Sequence, residues 1–152
     1  MKFFLFIIII FIDQITKFIV NKNIAINSSY KINFFLDIVN IKNKGISFGL
    51  FSGIIPSWII SIIVIGIILF LIMWFIKSDI LFEKLSLLII VAGALGNLID
   101  RLIFKQVTDF IFFNYNNYYW PAFNFADVFI SFGIITLIIA AYMQYRYDKK
   151  NE

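Results

Sequence analysis

VTDFIFFNYNNYYWPAFNFAD, Val107–Asp127, separates two long apolar runs and carries an aspartate near each end. Between Asp109 and Asp127 lie asparagines, aromatics and one proline, with no ionisable group other than tyrosine. Carboxylates near a bilayer are costly, so a functional role is the first reading for both. If the flanking runs are membrane spans, this segment leaves the bilayer after one span and returns at the next. The rest of the chain then reads as a frame for two carboxylates.

Composition supports spans. Of 152 residues, 62% are hydrophobic and 14% charged, with a mean hydropathy of +0.94, whereas a soluble domain is about 25% charged. The chain reads as an integral membrane protein forming one domain over 1–152. It has no cysteine and no histidine, which removes thiolate chemistry, the Ser-His-Asp triad and the histidine zinc sites. No metal and no cofactor are expected. The lysines form no dense run, so nucleic acid is not expected as a partner. The net charge of +4 suits anionic headgroups.

Working outward, four spans are expected at about 3–20, 54–76, 85–104 and 128–145, each near the ~20 residues that cross a ~30 Å core. The first could be a signal peptide, but no small-x-small cleavage site follows and Asp13 and Lys17 interrupt it. These two are four apart and can pair on one helix face, either as simple neutralisation or as polar support inside the bundle. Tyr30–Ile38 alternates apolar and polar residues, with Phe35 the exception, which predicts one β-strand. Asn43–Gly53 holds three glycines, which permit tight turns. Lys77, Asp79, Glu83 and Lys84 read as a charged connection. In the third span Gly93, Asn97 and Arg101 recur every four residues and share a stripe, with Asp100 beside it. The glycines alone suggest helix packing. Arg101 needs a partner: Asp100, Asp109, Asp127 or a ligand. Tyr115, Tyr118, Tyr119 and Trp120 suit a headgroup boundary.

Four spans put both termini on one side, and six cationic side chains fall on each side (Lys2, Lys77, Lys84, Arg146, Lys149 and Lys150 against Lys22, Lys31, Lys42, Lys44, Arg101 and Lys105). Charge therefore does not orient the chain, beyond a slight tilt from the N-terminal amine. The same topology gathers Asp13, Asn43, Arg101, Asp109, Asn124 and Asp127 at one membrane face. Two adjacent carboxylates retain a proton between them and can hydrolyse an amide by activating water. Separately, Asp127 could be a helix N-cap and Asp109 a partner of Arg101. An ion path through a small transporter and a purely structural role are the rival readings. The absence of an internal repeat argues against the transporter.

Five blocks resemble, in sequence and order, the signature blocks of prolipoprotein signal peptidase (signal peptidase II), a bacterial membrane aspartic peptidase family. They are DQITK (Asp13–Lys17), NKGISFG (Asn43–Gly49), GALGNLIDR (Gly93–Arg101), VTDF (Val107–Phe110) and FNFAD (Phe123–Asp127). The resemblance implies an all-α membrane bundle of four transmembrane helices with a small extracytoplasmic β-cradle and an aromatic lid over 110–120. It implies cleavage N-terminal to the diacylglyceryl-modified cysteine of lipidated prolipoproteins by Asp109 and Asp127. Asn43, Gly93, Asn97, Arg101, Asn124 and Ala126 would line or contact the substrate pocket, with Asp13 and Lys17 as support. It further implies a monomer in contact with membrane lipid, multi-pass in the bacterial inner membrane, with cytoplasmic termini and the site at the opposite face.

Overall fold

The computed structural model describes residues 2–45, 54–116 and 118–151. Four helices are long and apolar enough to cross a membrane: α1 (Lys2–Asn23), α2 (Ser57–Lys77), α3 (Leu81–Phe104) and α4 (Phe125–Asn151). Four strands, β1 (Ser29–Lys31), β2 (Leu36–Asn43), β3 (Val107–Tyr115) and β4 (Tyr118–Phe123), form one antiparallel sheet in chain order. The chain is a multi-pass membrane protein.

α3 is the central helix. Twelve of its described residues are buried, against four each in α1 and α2, and it packs against the other three helices. Large apolar side chains of α2 and α4, such as Ile62, Phe70, Phe132 and Ile138, are exposed, as expected of faces that meet lipid instead of water. Small residues let α3 approach its neighbours. A Cβ on Gly93 would lie 2.7 Å from the Ala126 carbonyl oxygen, and one on Gly96 would lie 2.6 Å from Asp13 Oδ2. Gly133 of α4 meets Ile90 and the Ser86 carbonyl of α3 in the same close manner.

Three expectations need correction. First, Tyr30–Ile38 is not one strand. The Asn33 side chain accepts the backbone N–H groups of Phe35 and Leu36, both at 2.9 Å, and this local turn splits the run into β1 and β2. The apolar even positions run on across the turn, and the one break in the alternation, Phe35, falls within it. Second, the small sheet expected beside the four helices has more strands than the sequence suggested. The segment between α3 and α4 forms the β3–β4 hairpin, with β3 paired to β2 and β4 at the outer edge. Third, the charged connection is shorter than expected, because α3 starts at Leu81 and takes Glu83 into its first turn. Glu83 is held there by Trp74 Nε1 and Ser78 Oγ, both at 2.6 Å. Of the expected glycine turns over 43–53, only the one at Gly45 falls within the described residues.

The sheet aims the site. α3 ends with Lys105 in the left-handed region (φ 59°), its N–H on the Arg101 carbonyl, and the chain passes directly into β3. The β2–β3 register sets Ile41 opposite Asp109 and Asn43 opposite Val107. Asn43 and Asp109 thus share a face.

The packing predicts contrasting glycine substitutions. Gly93→Ala meets backbone of α4 and should cost about 1–3 kcal/mol. Gly66→Ala on α2 meets nothing within 4 Å and should be neutral or slightly stabilising. Thermal unfolding in detergent checks both, with a lowered Tm expected for the first alone.

Candidate active site

A cavity of about 350 Å³ opens between α2, α3 and α4 beneath the sheet. Its polar end is lined by Asn43, Asn97, Arg101, Asp109, Asn124 and Asp127, and its walls by Val64, Ile67, Leu71, Ile90, Ile134 and Leu137 among others. Asp109 comes from β3 and Asp127 from the first turn of α4, where the helix dipole favours a carboxylate.

Asn124 joins the two. Its Oδ1 accepts the Asp127 N–H (3.1 Å), its own N–H donates to Asp127 Oδ2 (3.2 Å), and its Nδ2 donates to Asp109 Oδ1 (2.7 Å). This reciprocal pair is a capping box, with Asn124 as the N-cap. Asp127, which the sequence allowed as the cap, occupies the third helical position. Asn43 treats Asp109 similarly: its Oδ1 accepts the Gly45 N–H (2.8 Å) while Nδ2 donates to Asp109 Oδ2 (3.0 Å). Asn97 accepts from Lys17 Nζ (2.9 Å) and donates to Asp127 Oδ1 (2.9 Å). All three asparagines have their carbonyl end occupied by a donor, so each must turn its NH₂ toward an aspartate.

Behind this layer lies a buried charge network. Lys17 Nζ is 2.8 Å from Asp13 Oδ2 and 3.4 Å from Asp100 Oδ2. Asp13 Oδ1 also accepts the Ala126 N–H at 2.9 Å, satisfying a free donor at the start of α4. Gln14 Nε2 donates to Asp13, Asp100 and the Gly96 carbonyl, and Asp100 accepts the Thr108 N–H at 3.2 Å. Asp13 and Lys17 are both buried and link α1 to α3 and α4, so they do more than neutralise each other. Asp100, Gln14 and Thr108 were not identified as site residues from sequence. The available signal was Asp100 itself, a second ionisable group beside Arg101, but its partner is Lys17.

Arg101 makes no ion pair with an aspartate among the described residues. Its Nη2 donates to the Gly45 carbonyl (2.9 Å) and its Nη1 to the Asn97 carbonyl (3.3 Å). Gly93 and Ala126, expected at the pocket, sit at the α3–α4 crossing and are not among the residues lining the cavity.

Among the described residues no cation pairs with either carboxylate, and neutral amides are weak compensation for lost water. Burial first, and the nearby Asp127 charge second, push the Asp109 carboxyl up to about 7, against the opposing hydrogen bonds from Asn43 and Asn124. One proton therefore stays on the pair near neutral pH, leaving an acid and a base on one cavity wall.

The profile of signal peptidase (SPase) II matches residues 5–143. The chain belongs to the signal peptidase II family. Among relatives, a lipoprotein signal peptidase of Thermodesulfovibrio yellowstonii is 38% identical over 138 residues, covering 86% of this chain and 87% of that one. Another, of Clostridium tetani, is 38% identical over 142 residues, covering 91% and 90%. A bacterial membrane enzyme solved by the in meso method at 2.3 Å resolution superposes with a TM-score of 0.86 at 34% identity, over 95% of this chain and 88% of that one. As a signal peptidase II family member, the chain is placed among peptidases, and its two cavity-lining aspartates are groups able to activate water.

The buried network predicts the effect of removing its cation. Lys17→Met leaves Asp13 and Asp100 without their counter-charge and should destabilise the protein by about 3–5 kcal/mol. Thermal unfolding in detergent should show a much larger fall in Tm than for the exposed Lys22→Met.

Proposed function

We propose that the protein removes the signal peptide from prolipoproteins by hydrolysing the bond N-terminal to the diacylglyceryl-modified cysteine. The observation that carries this reading is the pair Asp109 and Asp127 on one cavity wall, joined through Asn124 and held by neutral amides. Relatives named lipoprotein signal peptidase supply the substrate class.

In the proposed reaction the charged aspartate takes a proton from water while the protonated one donates to the scissile carbonyl oxygen. The water oxygen bonds to the carbonyl carbon, giving a tetrahedral diol. Collapse breaks the C–N bond, the leaving nitrogen takes a proton, and the products are a signal-peptide carboxyl and a free amine on the lipidated cysteine. No acyl-enzyme forms, and no metal or cofactor takes part. Arg101 lines the polar end of the cavity and offers its remaining N–H groups to substrate carbonyls, with Asn43, Asn97 and Asn124 fixing the geometry. Gly93 and Ala126 act on the pocket through the helix crossing. The sheet cradles the peptide and the aromatic β3–β4 hairpin forms part of its cover. The protein works as a monomer in the bacterial cytoplasmic membrane, termini cytoplasmic, with the site at the extracytoplasmic face.

Asp109→Asn and Asp127→Asn should each abolish cleavage of a purified lipidated prolipoprotein while the protein remains folded. A near wild-type rate in either variant would refute the dyad. EDTA should leave the rate unchanged.

A pH profile follows from the raised carboxyl. Below about 7 the Asp109 proton is retained and the pair holds one acid; as pH rises through that value the acid is lost. Turnover should fall on the alkaline side of about pH 7, and a rate still rising toward pH 9 would contradict the assignment.

A further inference from the structure

Asp127 lines two hollows. Besides the cavity between α2 and α4, it borders a groove of about 370 Å³ formed with Trp120, Phe123, Val128, Ser131, Phe132 and Ile135. Successive residues on a helix turn by about 100°. Ile130, Ile134 and Leu137 therefore face the inner cavity, and Val128, Phe132 and Ile135 face the outer groove. Ile134 and Ile135 are sequence neighbours on opposite sides of one divide. Its crest, at the top of α4, is Asp127.

We propose that α4 separates the two membrane anchors of the substrate: acyl chains of the modified cysteine enter the inner cavity, and the signal helix packs on the outer groove. This rests on the prolipoprotein reading above, in which the reacting bond lies between a spanning helix and a lipid.

Depth and width decide which anchor goes where. Asp127 to Leu137 is ten residues, about 15 Å along the helix, or half of a ~30 Å hydrocarbon core. The inner cavity thus ends near the midplane, as an acyl chain of one leaflet does. At that end the wall residues Leu71 and Ile90 join the fully buried Leu87 in the apolar core. An α-helix with its side chains is about 10 Å across, wider than a cavity of about 350 Å³ drawn out over that depth. The outer face has neither limit. Phe132 and Ile135 are exposed, and exposure continues along α4 through Ile138, Ile139 and Tyr142, so a spanning helix can lie along it. Ser131, the small residue in the groove, permits close helix approach.

The test places a benzophenone amino acid at Ile134 or at Ile135 and irradiates each protein with a prolipoprotein labelled separately in its acyl chains and its signal sequence. Acyl label should attach at 134 and signal-sequence label at 135. The reverse pattern, both labels at one position, or no label at either position in proteins that still cleave, would overturn the proposal. Substitutions give a second readout. Leu137→Trp should raise KM for long-chain substrates about tenfold, equivalent to about two lost buried methylenes, and leave short-chain substrates unaffected. Ser131→Trp should raise KM regardless of chain length. Equal sensitivity to chain length in both variants would also overturn it. If the unaltered protein fails to cleave prolipoprotein at all, the underlying function fails, a result distinct from mislocated labels.

Discussion

Each aspartate of the pair is held by amides whose other end is already taken. Lys17 occupies the carbonyl of Asn97, the Gly45 N–H that of Asn43, and the Asp127 N–H that of Asn124. An asparagine with a free carbonyl could flip and present an acceptor to a carboxylate; these three cannot do so without breaking a bond. The constraint fixes both the geometry and the electrostatics of the site. Donors reach all four carboxylate oxygens, through Asn43 and Asn124 on Asp109 and Asn97 and the Asn124 N–H on Asp127. None of these donors carries a full charge. A lysine in direct contact would hold both aspartates ionised and remove the acid that amide hydrolysis requires.

The remainder of the structure serves that arrangement. Lys17 can reach Asn97 because α1 lies close against α3, and the close approach requires Gly96, whose absent Cβ leaves room for Asp13. Asp13 in turn caps the start of α4 through Ala126, which places Asp127. One buried lysine thus connects three helices to the pair, at the stability cost that buried ions carry unless all are paired. Two acidic partners and an amide around Lys17 keep that cost limited.

Much of this was legible in the chain because membrane physics leaves strong marks. Long apolar runs disclosed four spans, and the rarity of ionisable groups near them drew attention to Asp13, Lys17, Arg101, Asp109 and Asp127. What stayed hidden depends on contacts between distant residues. Asn124 and Asp127 were both visible, but which of them caps α4 is decided by a hydrogen-bond exchange three residues long that either reading would satisfy locally. Arg101 was expected to need an aspartate or a ligand as partner, yet backbone carbonyls of Gly45 and Asn97 accept from it, and backbone carbonyls leave no trace in a sequence. The turn at Asn33 left only one sign, the break in alternation at Phe35, because the apolar even positions continue through it. Gln14 and Asp100 draw their roles from being brought beside Lys17 by the α1–α3 packing.

The central claim is that a pair held by neutral amides keeps one proton near neutral pH, and an infrared titration of the carboxyl stretch in the detergent-purified protein tests it most directly. A protonated-carboxyl band should disappear as pH rises through about 7, and Asp127→Asn should move that transition to lower pH by removing the neighbouring charge. If no carboxyl proton titrates above the ordinary aspartate range, or if Asp127→Asn leaves the transition in place, the account is contradicted.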